Sequence, residues 1–171
     1  MSCPLSESRA EVITAARPDH AGALATLEKR ANRVALAHVF PPEVPYPYDD
    51  VLARWRLVLE DPDVTTLAAW SGAEPVGFAA YDGDTLRHLA VAVERSGTGL
   101  ADELHGRIVD AWRRTGTATA RLWVLEANER ARRFYARLGW RADGRRDLSP
   151  WAPYPVEVGH TLVVAPADMT P

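Results

Sequence analysis

The pattern of apolar and polar positions changes period several times along the chain. Leu89, Val91 and Val93 recur every second residue, as in a strand with one buried face. Leu100, Leu104, Ile108 and Val109 recur at helical spacing. A strand therefore runs into a helix, and the change of period falls across Gly97 and Gly99. The residues from Glu11 to Ala16 read as a first strand, and Asp19 offers an N-cap for a helix through Ala21, Leu24, Leu27 and Ala31. Prolines at 41, 42, 45 and 47 exclude a regular helix from 37 to 50. Helical spacing resumes from Val51 to Glu60 through Leu52, Trp55 and Val58, and the DPD at 61 to 63 ends it.

Further strands are predicted at Val64 to Trp70 and Pro75 to Tyr81, joined as a hairpin, and at Thr117 to Leu125. A helix then carries Ala131, Phe134, Tyr135 and Leu138, with Asn128 as its cap and Gly139 closing it. Trp140 to Ala142 and Val156 to Val164 supply the last strands. Strand, two helices, three antiparallel strands, helix, strand, helix and two strands make an α+β chain, an α/β sandwich whose mixed, mostly antiparallel sheet has helices on both faces. Residues 1–10 and 166–171 are expected to be tails around a single domain at 11–165. A length of 171 residues suits one such domain.

Composition narrows the function classes. A 47% hydrophobic content without an apolar run near the ~20 residues of a membrane span predicts a soluble globule with no membrane partner. The start, MSCPLSESR, has neither the basic nor the apolar part of a signal peptide, and cytoplasmic localisation is expected. Cys3 is the only cysteine, so no internal disulfide and no cysteine zinc site is expected, and no metal is assigned. A net charge of -3 argues against nucleic acid, which wants a clustered basic excess. The arginines at 130, 132, 133 and 137 read first as a solvated helix face.

At Gly97 and Gly99 the backbone is bare of Cβ atoms, so N–H groups at the positive end of the new helix can approach an anion, and a diphosphate fits them well. A glycine turn between strand and helix is common and is weak evidence alone. No GxxxxGK[ST] is present, and the only lysine, Lys29, lies far upstream, which excludes a P-loop. The second half of the pattern is RLWVLEANERARRFYARLGWRADG, from Arg121 to Gly144. Together the two stretches resemble the GCN5-related N-acetyltransferase family. That family writes its cofactor loop [RQ]xxGx[GA] after a strand, and its second signature Nxx[AS]xxFYxxxGF. Gly97, Gly99 and Ala101 match the small positions of the loop; Asn128, Ala131, Phe134, Tyr135, Gly139 and Trp140 match the second signature. Ser96 stands where the family has Arg or Gln, and Glu94 where Pro is usual; Arg95 is the candidate replacement.

The resemblance implies acetyl-CoA as cofactor, and a V-shaped slot between the fourth and fifth strands in which pantetheine amides pair with strand backbone. It implies cofactor contacts from Leu89, Val91, Val93, Arg95, Ser96, Gly97, Thr98, Gly99, Leu100, Ala101, Asn128, Ala131, Arg132, Phe134 and Tyr135. Amine attack on a thioester needs a base for the amine, a donor for the oxyanion and an acid for the departing thiolate. By resemblance Tyr135 is the acid, with an ordinary phenol pKa of roughly 10, and the oxyanion donor comes from backbone near Val91 to Val93. The base stays open. Where relatives place a strand glutamate this chain has Arg87, and Glu126, His88, His38 and His160 are substitutes.

The acceptor site is expected between the 37–50 loop, the helix before it and the final hairpin. Phe40, Tyr46, Tyr48, Trp151 and Tyr154 offer flat walls, and Glu43, Asp49 and Asp50 could attract a cationic amine. The leading expectation is direct acetyl transfer within a ternary complex to a primary amine of a small molecule, such as an amino acid, a polyamine-like amine or an amine-bearing antibiotic. A protein N-terminal or lysine acetyltransferase, and a non-catalytic acyl-CoA-binding module, are the alternatives. Oligomeric state is not written in the sequence, although relatives are often dimers, which would meet through the last strands.

Overall fold

The computed structural model describes residues 11–164, so the two expected tails and Cys3 lie outside the described residues. The elements are β1 (Val12–Ala15), α1 (Ala21–Ala35), α2 (Tyr48–Glu60), β2 (Thr65–Ser71), β3 (Glu74–Tyr81), β4 (Thr85–Val91), α3 (Leu100–Thr115), β5 (Thr119–Leu125), α4 (Glu129–Arg137), β6 (Arg141–Leu148) and β7 (Val156–Val163). Seven strands form one open sheet in the order β1-β2-β3-β4-β5-β7-β6. Every neighbouring pair is antiparallel except β4 and β5, which the α3 crossover makes parallel.

Alternation along the strands feeds two cores, one on each face of the sheet. Ala68, Phe78 and Ala80 pack with Leu24 and Leu27 of α1 and with Val51 and Trp55 of α2. Ala69 and Ala79 point the other way, joining Leu104, Ile108 and Trp112 of α3 with Leu122 and Trp140. Complete burial of Trp55, Trp112, Trp140 and Phe78 anchors both layers, each side chain contributing roughly 1.5–3 kcal/mol by removal from water. The approach of α3 leaves little room for a side chain at Gly77. A Cβ there would lie 3.1 Å from Leu100 and 3.2 Å from Leu104.

Four boundaries differ from the sequence reading. Asp19 does not cap α1: its carboxylate accepts from Arg17 at 3.0 Å, Pro18–His20 form a 3₁₀ turn, and the helix starts at Ala21. Helix α2 begins at Tyr48, directly after Pro47, which supplies the N-cap position. Strand β4 ends at Val91, and Val93 lies in a 3₁₀ turn, Val93–Arg95. Strand β6 is longer than expected because it is a sheet edge, exposed along most of its length, so its sequence RADGRRDL carries no apolar alternation. Among the described residues no helix is long and apolar enough to cross a membrane.

Candidate functional site

The parallel pairing of β4 with β5 is brief. It joins only Thr85 to Arg121 and Leu86 to Leu122. Beyond that point β5 pairs with β7 throughout, while β4 keeps only β3. The two strands part, and the edge of β4 that faces β5 opens into a groove of about 330 Å³. Leu89, Ala90 and Val91 form one wall; Asn128, Ala131, Phe134 and Tyr135 form the opposite one; Val34, Ala35 and Leu36 at the end of α1 close a third side.

At the head of the groove the chain passes through Val93, Arg95 and Ser96 into Gly97 and Gly99, with φ of 75° and 90°. Side chains rarely adopt that left-handed backbone. Nothing lies within 4 Å of the Cβ that either glycine lacks, so both backbones stand bare. The first α3 N–H to find a carbonyl is that of Glu103, which bonds Gly99 O at 2.9 Å. The groups ahead of it, at the positive end of the helix, are left for solvent or a ligand. Arg137 is held by Asp102 at 2.8 Å across this end, and Arg95 pairs with Glu11. Arg130 lines the groove with no carboxylate partner among the described residues.

Most residues expected to hold the cofactor thus share one groove. Three do not line it. Thr98 donates its hydroxyl to Arg95 O at 2.8 Å, Leu100 is buried in the α3 core, and Arg132 donates to Glu126 O at 3.1 Å. Asn128 caps α4, its Oδ1 accepting from Ala131 N at 3.1 Å. The cap turns the helix so that Tyr135 meets the groove while its ring packs edge-on against Phe134 and Trp140. Burial pushes the Tyr135 phenol up.

The substitute bases are placed elsewhere. Glu126 receives two bonds from Arg146, at 2.6 and 3.0 Å, which hold its carboxyl below the usual range. His88 sits on the α2 side of β4, against Trp55, where Arg54 Nη1 donates to its Nε2 at 2.8 Å. Burial, with the Arg54 charge beside it, depresses His88 to about 3. His38 Nε2 donates to Ala127 O at 2.9 Å, and His160 is buried within β7. Neither Glu126 nor His88 lines the groove.

A second cavity, of about 310 Å³, lies under the proline-rich loop. Phe40, Tyr46 and Trp151 line it as expected, together with Pro41, Pro42, Val44, Pro45 and Pro47. Tyr48 and Tyr154 do not. As the first residue of α2, Tyr48 turns to Thr26, 3.2 Å from its hydroxyl, and lies under Lys29, while Tyr154 is 58% exposed. The carboxylates of Glu43, Asp49 and Asp50 are also outside the lining. The acidic residue inside it is Glu28, which the sequence reading missed. Its signal was a charge in an apolar stripe: Leu24, Leu27, Glu28 and Ala31 share one face of α1 and all four are buried. Glu28 Oε2 accepts from Arg54 Nη2 at 2.5 Å and from Trp55 Nε1 at 2.7 Å. Asn32, one turn further along α1, lines both the cavity and the groove.

Comparison with known proteins gives these spaces a context. The family model described as "Acetyltransferase (GNAT) domain" matches residues 27–152. The fold is similar to that of a GCN5-related N-acetyltransferase from Rhodopseudomonas palustris, at a TM-score of 0.74 and 18% identity over 89% of this chain and 94% of that one. It is also similar to the PaiA N-acetyltransferase of Thermoplasma acidophilum in complex with coenzyme A, at 0.71 and 14% identity over 90% and 99%. The ribosomal-protein-S18-alanine N-acetyltransferase of Escherichia coli scores 0.70 at 20% identity over 95% and 99%. No curated protein matches the chain in sequence.

Proposed function

The chain belongs to the GNAT acetyltransferase family and is an acetyl-CoA-dependent N-acetyltransferase, and from that premise we propose that its acceptor is the primary amine of a small molecule. The observation that carries this reading is the 310 Å³ cavity, roofed by the proline-rich loop and Trp151 and sharing Asn32 with the lining of the groove. A peptide substrate would want an open cleft beside Tyr135. A space of this size under a roof instead suits a compact, largely apolar molecule.

The groove fits acetyl-CoA in its own features. The bare backbone at Gly97 and Gly99 and the N–H groups opening α3 suit phosphate oxygens, and Arg130 stands within the same lining. Unpaired backbone along Leu89 to Val91 suits an amide-bearing arm added like a strand. When bound, the cofactor supplies an activated acetyl thioester. Tyr135 Oη is assigned the proton for the departing sulfur. Its raised pKa keeps that proton in place at neutral pH, which speaks against a base.

The test is a thermal-shift titration with acetyl-CoA, CoA and NAD, followed by assays on small primary amines and on a peptide with a free N-terminus. A ligand at 100 times its dissociation constant adds about 2.7 kcal/mol to the native state. Stabilisation by the CoA species alone, with turnover of a small amine and none of the peptide, supports the proposal. Turnover of the peptide alone overturns the acceptor assignment.

A further inference from the structure

The first turn of α3 carries two carboxylates, Asp102 and Glu103, at the end of the helix that borders the groove. An acid at a helix N-terminus stabilises the helix but opposes an anion arriving at the same N–H groups. The two carboxylates are balanced in different ways. Glu103 lies outside the groove lining and pairs at 3.0 Å with Arg107, one turn along its own helix. Asp102 does line the groove, the one acidic residue to do so among the described residues. Its partner comes from another element: Arg137 of α4, in the same lining, at 2.8 Å. The Arg137 guanidinium also lies over the Phe134 ring, 5.5 Å from its centroid. Both charged side chains keep surface, 59% exposed for Arg137 and 42% for Asp102, so a ligand in the groove can meet the pair.

We propose that Arg137 is a positioning residue for the cofactor's phosphates and acts through Asp102, neutralising the one carboxylate in the groove so that the first turn of α3 can receive a diphosphate. The inference rests on the groove being the acetyl-CoA site and adds how the protein's own negative charge is kept from opposing the ligand there. Asp102 shares the groove lining with Gly97 and Gly99 and stands in the helical turn that follows them. Separations within one such turn are shorter than the screening length of about 8 Å at physiological salt, so a bare carboxylate would repel phosphate. Two other roles for Arg137 are a direct bond to phosphate and a strut between α3 and α4. Under either of those, losing the arginine harms CoA binding whatever residue stands at 102. Under charge neutralisation, the harm disappears once residue 102 is itself neutral.

A double-mutant cycle separates the three. CoA is titrated calorimetrically onto the full-length wild type, Arg137→Gln, Asp102→Asn and the double variant. Arg107→Gln serves as the control, because it removes an equal charge from α3 at a residue outside the groove lining. Arg137→Gln should bind CoA about fivefold more weakly than wild type, and Arg107→Gln should stay within about twofold of it. Asp102→Asn should bind at least as tightly as wild type, and the double variant should stay within about twofold of Asp102→Asn. Both variants without Arg137 have lost the bridge between α3 and α4, so affinity regained in the double variant cannot come from packing. A loss on removing Arg137 that is as large with asparagine at 102 as with aspartate overturns the inference, as does weaker binding in Asp102→Asn. So does a loss of less than about twofold in Arg137→Gln, or an equal loss in Arg107→Gln. Failure of CoA to bind the wild type would overturn the reading of the groove itself, so the two failures are distinguishable. The Asp102→Asn comparison keeps Arg137 in place and gives the sign of the effect even if Arg137→Gln does not fold.

Discussion

His38 Nε2 lies 2.9 Å from the carbonyl oxygen of Ala127, so the proline-rich loop that roofs the second cavity is tied to the residue before Asn128, the cap of α4. The loop leaves α1 at Leu36 and re-enters helix at Tyr48. In between, this bond anchors the cavity roof to the wall of the cofactor groove. A histidine that sequence reasoning could offer only as a base is thus a donor with a structural task.

His38→Ala should therefore loosen the roof without touching the groove. One hydrogen bond between groups open to water contributes about 1 kcal/mol, so KM for the acceptor should rise about fivefold while CoA affinity stays within a factor of two. Steady-state kinetics with a fixed amine, paired with CoA titration, checks this. An unchanged KM would mean that the loop holds its place through the prolines alone.

Gly99→Glu should abolish CoA binding. At φ 90° any side chain is strained, and a carboxylate there would set negative charge against the phosphates at the positive end of α3. Gly116→Ala is the control, since it carries similar strain at φ 74° at the other end of the same helix. Both variants should lose melting temperature. Only Gly99→Glu should lose the further rise that CoA produces in the wild type, and a CoA response kept in Gly99→Glu would remove the loop from the cofactor site.

The groove was legible because its parts are local. A change of period across Gly97 and Gly99, and an asparagine three residues before a helical Ala131, report backbone geometry that those residues impose themselves. Strand alternation likewise sends His88 to the face opposite Leu89 and Val91, against Trp55. The cavity under the proline-rich loop is made differently, from a loop, two helices and a distant hairpin, and aromatic content cannot say which rings turn inward. Tyr48 was lost to the wall once Pro47 started a helix there, and Tyr154 turned outward. Glu28 was visible only as a charge interrupting an apolar stripe, and its meaning needed Arg54 and Trp55, 26 and 27 residues away. The length of β6 was hidden because an exposed edge strand has no buried face to impose alternation.

Tyr135→Phe should lower kcat by roughly 10²-fold, the lower end of what a positioned acid contributes, and leave CoA affinity within twofold. The ring contacts with Phe134 and Trp140 survive the change, so stability should hold. A loss of kcat/KM carried entirely by KM would show that the hydroxyl binds substrate and does not serve the chemistry.

Stability should fall as pH drops below about 6.5, and two buried histidines set the direction. Burial depresses His88 to about 3 and His105 to about 4, both from an ordinary 6.5, and His105 Nε2 must stay unprotonated to accept from Trp140 Nε1 at 2.9 Å. Between the folded and unfolded values the unfolded chain binds a proton at each site that the native protein does not. Their contribution is therefore complete above pH 6.5 and is lost progressively toward pH 3 to 4, at up to about 1.4 kcal/mol per pH unit for each histidine. Exposed carboxylates held low by arginine, Glu126 and Asp143 among them, add to the loss only at the acid end. Urea unfolding at pH 7, 6 and 5 measures the slope. In His105→Gln, whose amide oxygen can still accept from Trp140, the slope between pH 6 and 5 should fall by close to one proton. An unchanged slope would mean that His105 is protonated in the native state and that its bond to Trp140 does not hold in solution.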